Sequence, residues 1–497
     1  MKLAILLLSI GIASANTKIF DLNYLPTEVD DYLKSGFFKG YFTAKEFWNF
    51  IKDITLKPEN KKLVSGKVLL GHTINNNPIY GFYICDDVSQ LSTYLETKNI
   101  LMFTALHHSR EPLSLTMVIY MVIEMLKDFK SDSHSKMKEL LRDNVIFIVP
   151  TLNIDSYLYI TNMYREHRAT EEVLMIRKNR NLDRSCDPMH GGVDLNRNYG
   201  YKFGVDDVGS SNKPCEEDYR GPAPFSEKET QAIKRYVETH KNIVSCVNIH
   251  TYGNAWIYPF NYVHDGADHY LAVKEPLFFD FFKEFEKEMD AKGRKSHYGN
   301  SAFIMDYPAN GEAGDWLTGA KHILNLDVEL GTPDKESDKF YPPKALIPKI
   351  VRYNWKTMRD FLSKHVVVLD LLHLYLERGN KTRVIFEIFN KAISNLKDAV
   401  FHVKPLFVNN EDIHYDMEWG VKALPEEVIK KENVKRNQFP LTFRGRHILE
   451  VDVSLSNEIE EEKLVGLELV IQRNEGNYLF YPNQKYIFKI KHPERDH

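Results

Sequence analysis

Several absences narrow the reading before any motif is considered. Only four cysteines occur in 497 residues, too few for a fold that depends on a disulfide framework. No stretch reaches 18 uncharged apolar residues, so a membrane-spanning helix is not expected. The chain also lacks an excess of either charge: 65 Lys and Arg stand against 69 Asp and Glu, a formal net charge of −4. A nucleic acid or another polyanion is therefore excluded as a natural partner. There is no internal repeat and no low-complexity tract, and a 43% apolar, 27% charged composition is that of globular protein. A chain this long exceeds what one hydrophobic core supports, which predicts two folded units.

The N-terminus carries Lys2, an apolar run from Leu3 to Ile12, and the small-residue triplet Ala13-Ser14-Ala15. That pattern reads as a signal peptide over residues 1–15, removed in the mature protein. The protein is then expected to be secreted, or to reside in a secretory, lysosomal or vacuolar compartment. Cys186 and Cys215 lie in loop-like sequence rich in Asp, Gly, Asn and Pro, which suits a disulfide. Cys85 and Cys246 sit in strand-like apolar runs and are expected as buried free thiols. Asn380-Lys381-Thr382 is a glycosylation sequon, exposed if used.

From about residue 40 to 365, apolar runs alternate with amphipathic stretches. KNILMFTAL (98–106), NVIFIVP (144–150), NIVSCVNI (242–249) and HILNLDVEL (322–330) read as buried strands. Helical periodicity fills residues 113–129, 226–240, 275–289 and 343–362. The expected fold is α/β, with a mixed, mostly parallel central sheet flanked by helices. In such sheets, sites form beyond the carboxyl ends of strands. After 365 helical periodicity fades beyond VVVLDLLHLYLE (366–377), and β-type runs dominate. The expected organisation is a catalytic domain over 16–365 and a smaller β-rich domain over 366–497, possible as a sandwich.

The chemistry-bearing residues cluster at the strand ends. The first strand runs into His107-His108-Ser109-Arg110-Glu111, and His108 and Glu111 are close enough in a turn to meet one ion. Catalytic zinc takes three protein ligands of N and O type and leaves a position open. His250, ending another strand, is placed to supply the third. His107 is read as a neighbour, because the residue three positions on is Arg110. Further elements follow in order: Arg177-Lys178-Asn179-Arg180, Gly192-Val193-Asp194-Leu195-Asn196-Arg197-Asn198, then Tyr307 before the glycine-rich PANGEAGDW, and Glu329 at a strand end. Arginines at one site would bind an anion, and a carboxylate beside the metal could activate water.

With these motifs in place the chain resembles the zinc carboxypeptidases of the carboxypeptidase A/B family, over roughly residues 40–365. The resemblance extends to Y-R-G-P-x-P-x-S-E at residues 219–227. It implies one Zn2+ held by His108, Glu111 and His250, with Asp194 orienting a ligand imidazole. It implies Glu329 as general base and Arg180 as the residue that polarises the scissile carbonyl. Asn196, Arg197 and Tyr307 would capture the terminal carboxylate of a peptide substrate, and Arg110 and Tyr252 would line outer subsites. Cys186 and Cys215 fall where relatives carry a disulfide-bonded loop.

For specificity, the family position before the Asp-Trp pair is Gly314, which adds room but no charge. Asp327, on the same strand side as Glu329, is expected to favour terminal Lys or Arg over apolar residues, with Glu312 assisting. The rival readings are an acyl-amino-acid amidohydrolase, a carboxypeptidase for apolar C-terminal residues, and an inactive peptide-binding member. Retention of the carboxylate-binding set argues against the first, and retention of all ligands and the base against the last. Only residues 16–40 separate the leader from the catalytic pattern, so zymogen activation by a prodomain is not expected. The β-rich tail is similar in position alone to the small sandwich domain of regulatory carboxypeptidases. A monomer is expected.

Overall fold

The computed structural model describes residues 3–4, 27–131, 135–182, 186–264, 269–366, 369–377, 382–390, 392–393, 399–407, 446–453, 464–473 and 484–489. The sequon at Asn380 and residues 5–15 of the expected leader lie outside them. The chain divides into two compact units, one spanning Phe20–Val366 and the other Val367–His497 with Met1–Ile19.

The larger unit is built on eight strands: β1 Val68–His72, β2 Pro78–Ile84, β3 Asn99–Ala105, β4 Asn144–Val149, β5 Ile243–Thr251, β6 Ala255–Ile257, β7 His297–Gly299 and β8 Leu324–Leu330. Their order across the sheet is β1-β2-β4-β3-β5-β8-β6-β7. The middle four strands, β4, β3, β5 and β8, run parallel, and antiparallel pairs close both sides. Helices α1 Ala44–Leu56, α2 Pro112–Ser131, α3 Ile154–Arg165, α4 Lys228–Thr239, α5 Pro276–Ala291, α6 Ala313–Lys321 and α7 Ile347–Ser363 accompany the sheet. Every residue of β3 and β4 is buried, which is why both read as unbroken apolar runs rather than alternating ones. The α/β expectation with a mostly parallel sheet holds.

Two local features depart from the sequence reading. PANGEAGDW is only half loop: Glu312 stands at the N-cap position of α6 without a side-chain capping bond, and Ala313, Gly314 and Asp315 form its first turn. Leu369–Glu377, part of the last stretch with helical character, is a strand. Strand β9 Leu369–Glu377 pairs antiparallel with β10 Thr382–Asn390, and β10 with β12 Arg446–Val453. A second, three-stranded sheet joins β11 Ala399–Phe407, β13 Leu464–Arg473 and β14 Gln484–Lys489. Among the described residues no helix is long and apolar enough to cross a membrane.

Strands β3, β5 and β8 are neighbours, so their carboxyl ends open side by side. In the pairing of β5 with β8, His250 lies opposite Glu329 and Asn248 opposite Asp327. His108 and His250, 142 positions apart along the chain, become adjacent at those ends, with His108 and Glu111 coming from one loop and His250 and Glu329 from two strands.

Candidate metal centre and substrate pocket

Beyond β3 the chain turns sharply at Leu106, whose φ is 54°, and passes through His107–Glu111 into α2. Ser114 fastens this turn by donating from Oγ to the Glu111 carbonyl, 2.7 Å away. His108 Nδ1 lies 2.8 Å from Glu111 Oε1, and His250 Nδ1 lies 3.1 Å from Glu111 Oε2. The two Nδ1 atoms are 3.2 Å apart. All three side chains are almost wholly buried, and they form a group able to hold a metal ion.

The donor set fits zinc. Two ring nitrogens 3.2 Å apart beside one carboxylate can each give a lone pair to a single cation. Tetrahedral zinc, with Zn–N bonds of about 2.0–2.1 Å, sets ligand nitrogens about 3.3 Å apart. Burial and the Arg177 charge hold the His108 imidazole below its usual pKa, in the neutral form that ligation needs. Burial opposes protonation of His250 too, but Glu111 outweighs it and draws the group to about 9, a proton that a metal would replace. His107 has other partners, Tyr199 Oη at 3.0 Å and Thr104 Oγ1 at 3.4 Å, and stays a neighbour as expected.

Asp194 lies 3.2 Å from His108 Nε2, the nitrogen opposite the one facing Glu111 and His250, and so fixes the ring's tautomer and direction. Although burial opposes it, the Arg177 and His108 charges keep Asp194 well below the ordinary carboxylate range. Arg177 is the finding that corrects the sequence reading. Its Nε donates to Asp194 Oδ2 at 2.9 Å, and its Nη1 lies 3.9 Å from Glu111 Oε1. Arg180 instead donates to the Pro188 carbonyl and lies over the Tyr159 ring, 4.2 Å from its centroid.

The reason is the path of the backbone. Ser109 Oγ binds the Ile176 carbonyl, Asn153 Nδ2 the Arg177 carbonyl and Ser156 Oγ the Lys178 carbonyl. These bonds pin Arg177 beside the His108–Glu111 turn. The segment is not helical, so a residue three positions on does not return to the same side.

Glu329 is the penultimate residue of β8, with Oε2 buried and without a hydrogen bond among the described residues. Burial first, and the Glu111 charge second, raise its carboxyl to about 8. Tyr307 is 47% exposed. Asn196 Oδ1 accepts from the Ala313 amide at 3.0 Å, tying the Asn196-Arg197 segment to the start of α6.

Two residues before Glu329 on β8, Asp327 Oδ1 accepts from Asn248 Nδ2 at 2.6 Å and Asn325 Nδ2 at 3.0 Å. Its Oδ2 takes no hydrogen bond from the described residues, and burial raises the group. Gly314 does not leave empty room, as the sequence reading held. A Cβ there would come within 2.5 Å of Asn325 Nδ2 and 2.8 Å of Asp327 Oδ2, so the two side chains already occupy that space. Asp315, below, accepts from the amides of Asn261 and Tyr262 and anchors α6.

On the outer side, Arg110 Nη1 pairs with Glu217 Oε2 at 2.8 Å, and its guanidinium lies 4.3 Å from the Phe340 ring centroid. Tyr252 packs edge-on against the same ring at 4.9 Å. Phe340, which joins these two, carries no motif that would mark it in the sequence. Cys186 and Cys215 form a disulfide, while Cys85 and Cys246 are buried and free, all as expected.

A buried two-His, one-Glu centre with the Glu329 carboxylate beside it, at the carboxyl ends of parallel strands, places a metal site next to a group able to accept a proton. Comparison with known proteins gives the family. The zinc carboxypeptidase family model matches residues 54–357. Carboxypeptidase B of Rattus norvegicus is 30% identical over 225 residues, which is 44% of this chain and 49%, about half, of that protein. Carboxypeptidase B of Bos taurus is 29% identical over 64% of this chain and 68% of that one. Among solved structures, thrombin-activatable fibrinolysis inhibitor aligns with a TM-score of 0.53 at 22% identity, over 67% of this chain and 76% of that one. Carboxypeptidase A from Helicoverpa armigera aligns at 0.52 and 20% identity, over 68% and 80%. The chain belongs to the zinc carboxypeptidase family, and it is a zinc-dependent metallocarboxypeptidase by class.

Replacing His250 by alanine removes one of three ligands, so purified His250→Ala is expected to contain less than a tenth of the wild-type zinc, roughly, by metal analysis. Full occupancy in that variant would exclude His250 as a ligand.

Proposed function

We propose that this protein hydrolyses the last peptide bond of peptides and proteins and prefers chains ending in Lys or Arg. The observation that carries the preference is Asp327: a buried carboxylate with one oxygen unpartnered, on the same face of β8 as Glu329. A buried carboxylate short of partners is costly, and a cationic side chain of the substrate would satisfy it. Glu312 and Asp315 lie near it, making the pocket acidic overall.

Bound zinc supplies Lewis acidity that polarises the scissile carbonyl and lowers the pKa of a water toward about 7. Glu329 takes the proton of the attacking water and passes it to the leaving amine. Arg177 stabilises the charge that develops on the carbonyl oxygen. Arg197, Asn196 and Tyr307 hold the terminal carboxylate and, by closing the pocket, restrict cleavage to the chain end. Arg110 and Tyr252 contact residues farther up the peptide.

The same proposal includes the setting. Residues 1–15 act as a signal peptide, and the mature protein works as a monomer outside the cell or in a secretory, lysosomal or vacuolar compartment. Residues 16–365 form the catalytic domain and 366–497 a smaller appended β-rich domain.

The test is a set of acylated dipeptides ending in Arg, Lys, Leu and Phe, each also as its C-terminal amide, with and without a chelator. Cleavage of the free acids alone is expected, abolished by chelation and restored by zinc. Arg and Lys should be preferred, and Asp327→Ala is expected to cut that preference by about tenfold or more. Equal cleavage of acids and amides would overturn the carboxypeptidase reading. A wild-type preference for Leu or Phe would favour the apolar alternative.

A further inference from the structure

Arg197 does not stand ready with an open guanidinium. Its Nε donates to the Gly209 carbonyl at 3.0 Å, and its Nη1 donates to the Asn196 carbonyl at 2.8 Å and to Glu312 Oε1 at 3.2 Å. Nη2 alone has no hydrogen bond to the described residues. A planar fork that grips a carboxylate with two parallel bonds needs two free N–H directions. Glu312 therefore occupies a position that a substrate's terminal carboxylate requires.

The occupation is built into the backbone. Gly311, at φ 72°, passes so close to Arg197 that a Cβ there would meet its carbonyl oxygen at 2.3 Å. Its own carbonyl accepts from the Tyr199 amide at 2.8 Å. The next residue, Glu312, is thereby set over the guanidinium, and Asn261 Nδ2 holds its second oxygen at 2.7 Å. Side-chain exposures of 7% for Arg197 and 9% for Glu312 show the pair to be desolvated.

We propose that Glu312 is a substrate-selecting residue that exchanges partners on binding. The substrate's terminal carboxylate takes Arg197 from Glu312, and the cationic terminal side chain takes Glu312 in return, beside Asp327. This deepens the preceding reading and rests on it. A terminal Lys or Arg leaves every buried charge paired. A terminal Leu or Phe displaces Glu312 and offers it nothing, so Glu312 acts against apolar ends while Asp327 favours basic ones. The groups facing Glu312 are Arg197, Asn261, Asp315, Asp327 and, more distantly, Tyr307. Burial, opposed by Arg197 but reinforced by Asp327 and Asp315, raises its carboxyl to about 8. Below that pH a protonated Glu312 can release Arg197 without leaving a buried anion. Above it, release needs a substrate cation.

The zinc-loaded enzyme and Glu312→Gln are assayed above about pH 8, where the Glu312 carboxylate is ionised, on the acids ending in Arg, Lys, Leu and Phe. The glutamine keeps the shape and the contact with Asn261. It is expected to lower KM for Leu and Phe ends, and raise it for Arg and Lys ends, by about tenfold each, with kcat moving less. A second measurement needs no variant: the wild-type ratio of kcat/KM for Phe to that for Arg should fall as pH rises through about 8. Taking the ratio cancels groups that both substrates share, Glu329 among them. A preference for Arg and Lys with an unchanged ratio in E312Q, or a ratio flat with pH, would overturn the exchange and leave the basic preference standing. A wild-type preference for Leu or Phe would remove the basic preference, and the exchange with it.

Discussion

Arg177→Ala is expected to lower kcat on a blocked dipeptide by about 10²–10³-fold, the usual cost of losing one donor to a developing oxyanion. Arg180→Ala should stay within a few-fold of wild type. The contrast follows from position: the Arg177 guanidinium lies beside Asp194 and Glu111, while Arg180 is bonded to the Pro188 carbonyl and lies over Tyr159. Because Arg177 also supports Asp194, metal content must be measured on the same samples. Retained zinc with lost kcat assigns the effect to the carbonyl oxygen. Arg177→Ala at wild-type rate, or a large loss in Arg180→Ala, would reverse the assignment.

Glu329→Gln should be the more damaging change, lowering kcat by about 10²–10⁴-fold with KM nearly unchanged. Glutamine has the same outline but cannot take a proton. Glu329 Oε2 has no hydrogen bond in the described structure, so the substitution breaks no buried partnership on that atom and folding is expected to be preserved. Single-turnover rates and zinc content together check this. A variant that kept both zinc and most of its kcat would mean that another group accepts the proton.

These two residues also mark how far the chain could be read before folding. Glu329, His250 and the His108–Glu111 pair were legible because each ends or follows an apolar run, and a buried strand ends with its polar residues at the rim of the sheet. Arg177 and Arg180 were not separable on those grounds. They lie in a loop with no period, and what selects one is hydrogen bonding from Ser109, Asn153 and Ser156, distant in sequence. The pairing of Arg197 with Glu312 was equally out of reach, since 115 positions separate them and a positive-φ glycine sets the contact. Gly314 was misread for a related reason. A missing side chain suggests space, and only the fold shows that Asn325 and Asp327 fill it.

The register of β5 with β8 has a consequence for how such an enzyme can change. His250 and Glu329 form one cross-strand rung, and Asn248 and Asp327 the next on the same face. Two residues along a strand advance about 6.6 Å, close to the reach of an extended Lys or Arg side chain from its α-carbon. Under the proposed roles, bond cleavage and recognition of the leaving residue would sit at fixed heights on a shared ladder, their spacing set by backbone geometry rather than by loops. Substitutions on the lower rung would then alter which residue is accepted while the upper rung keeps its alignment.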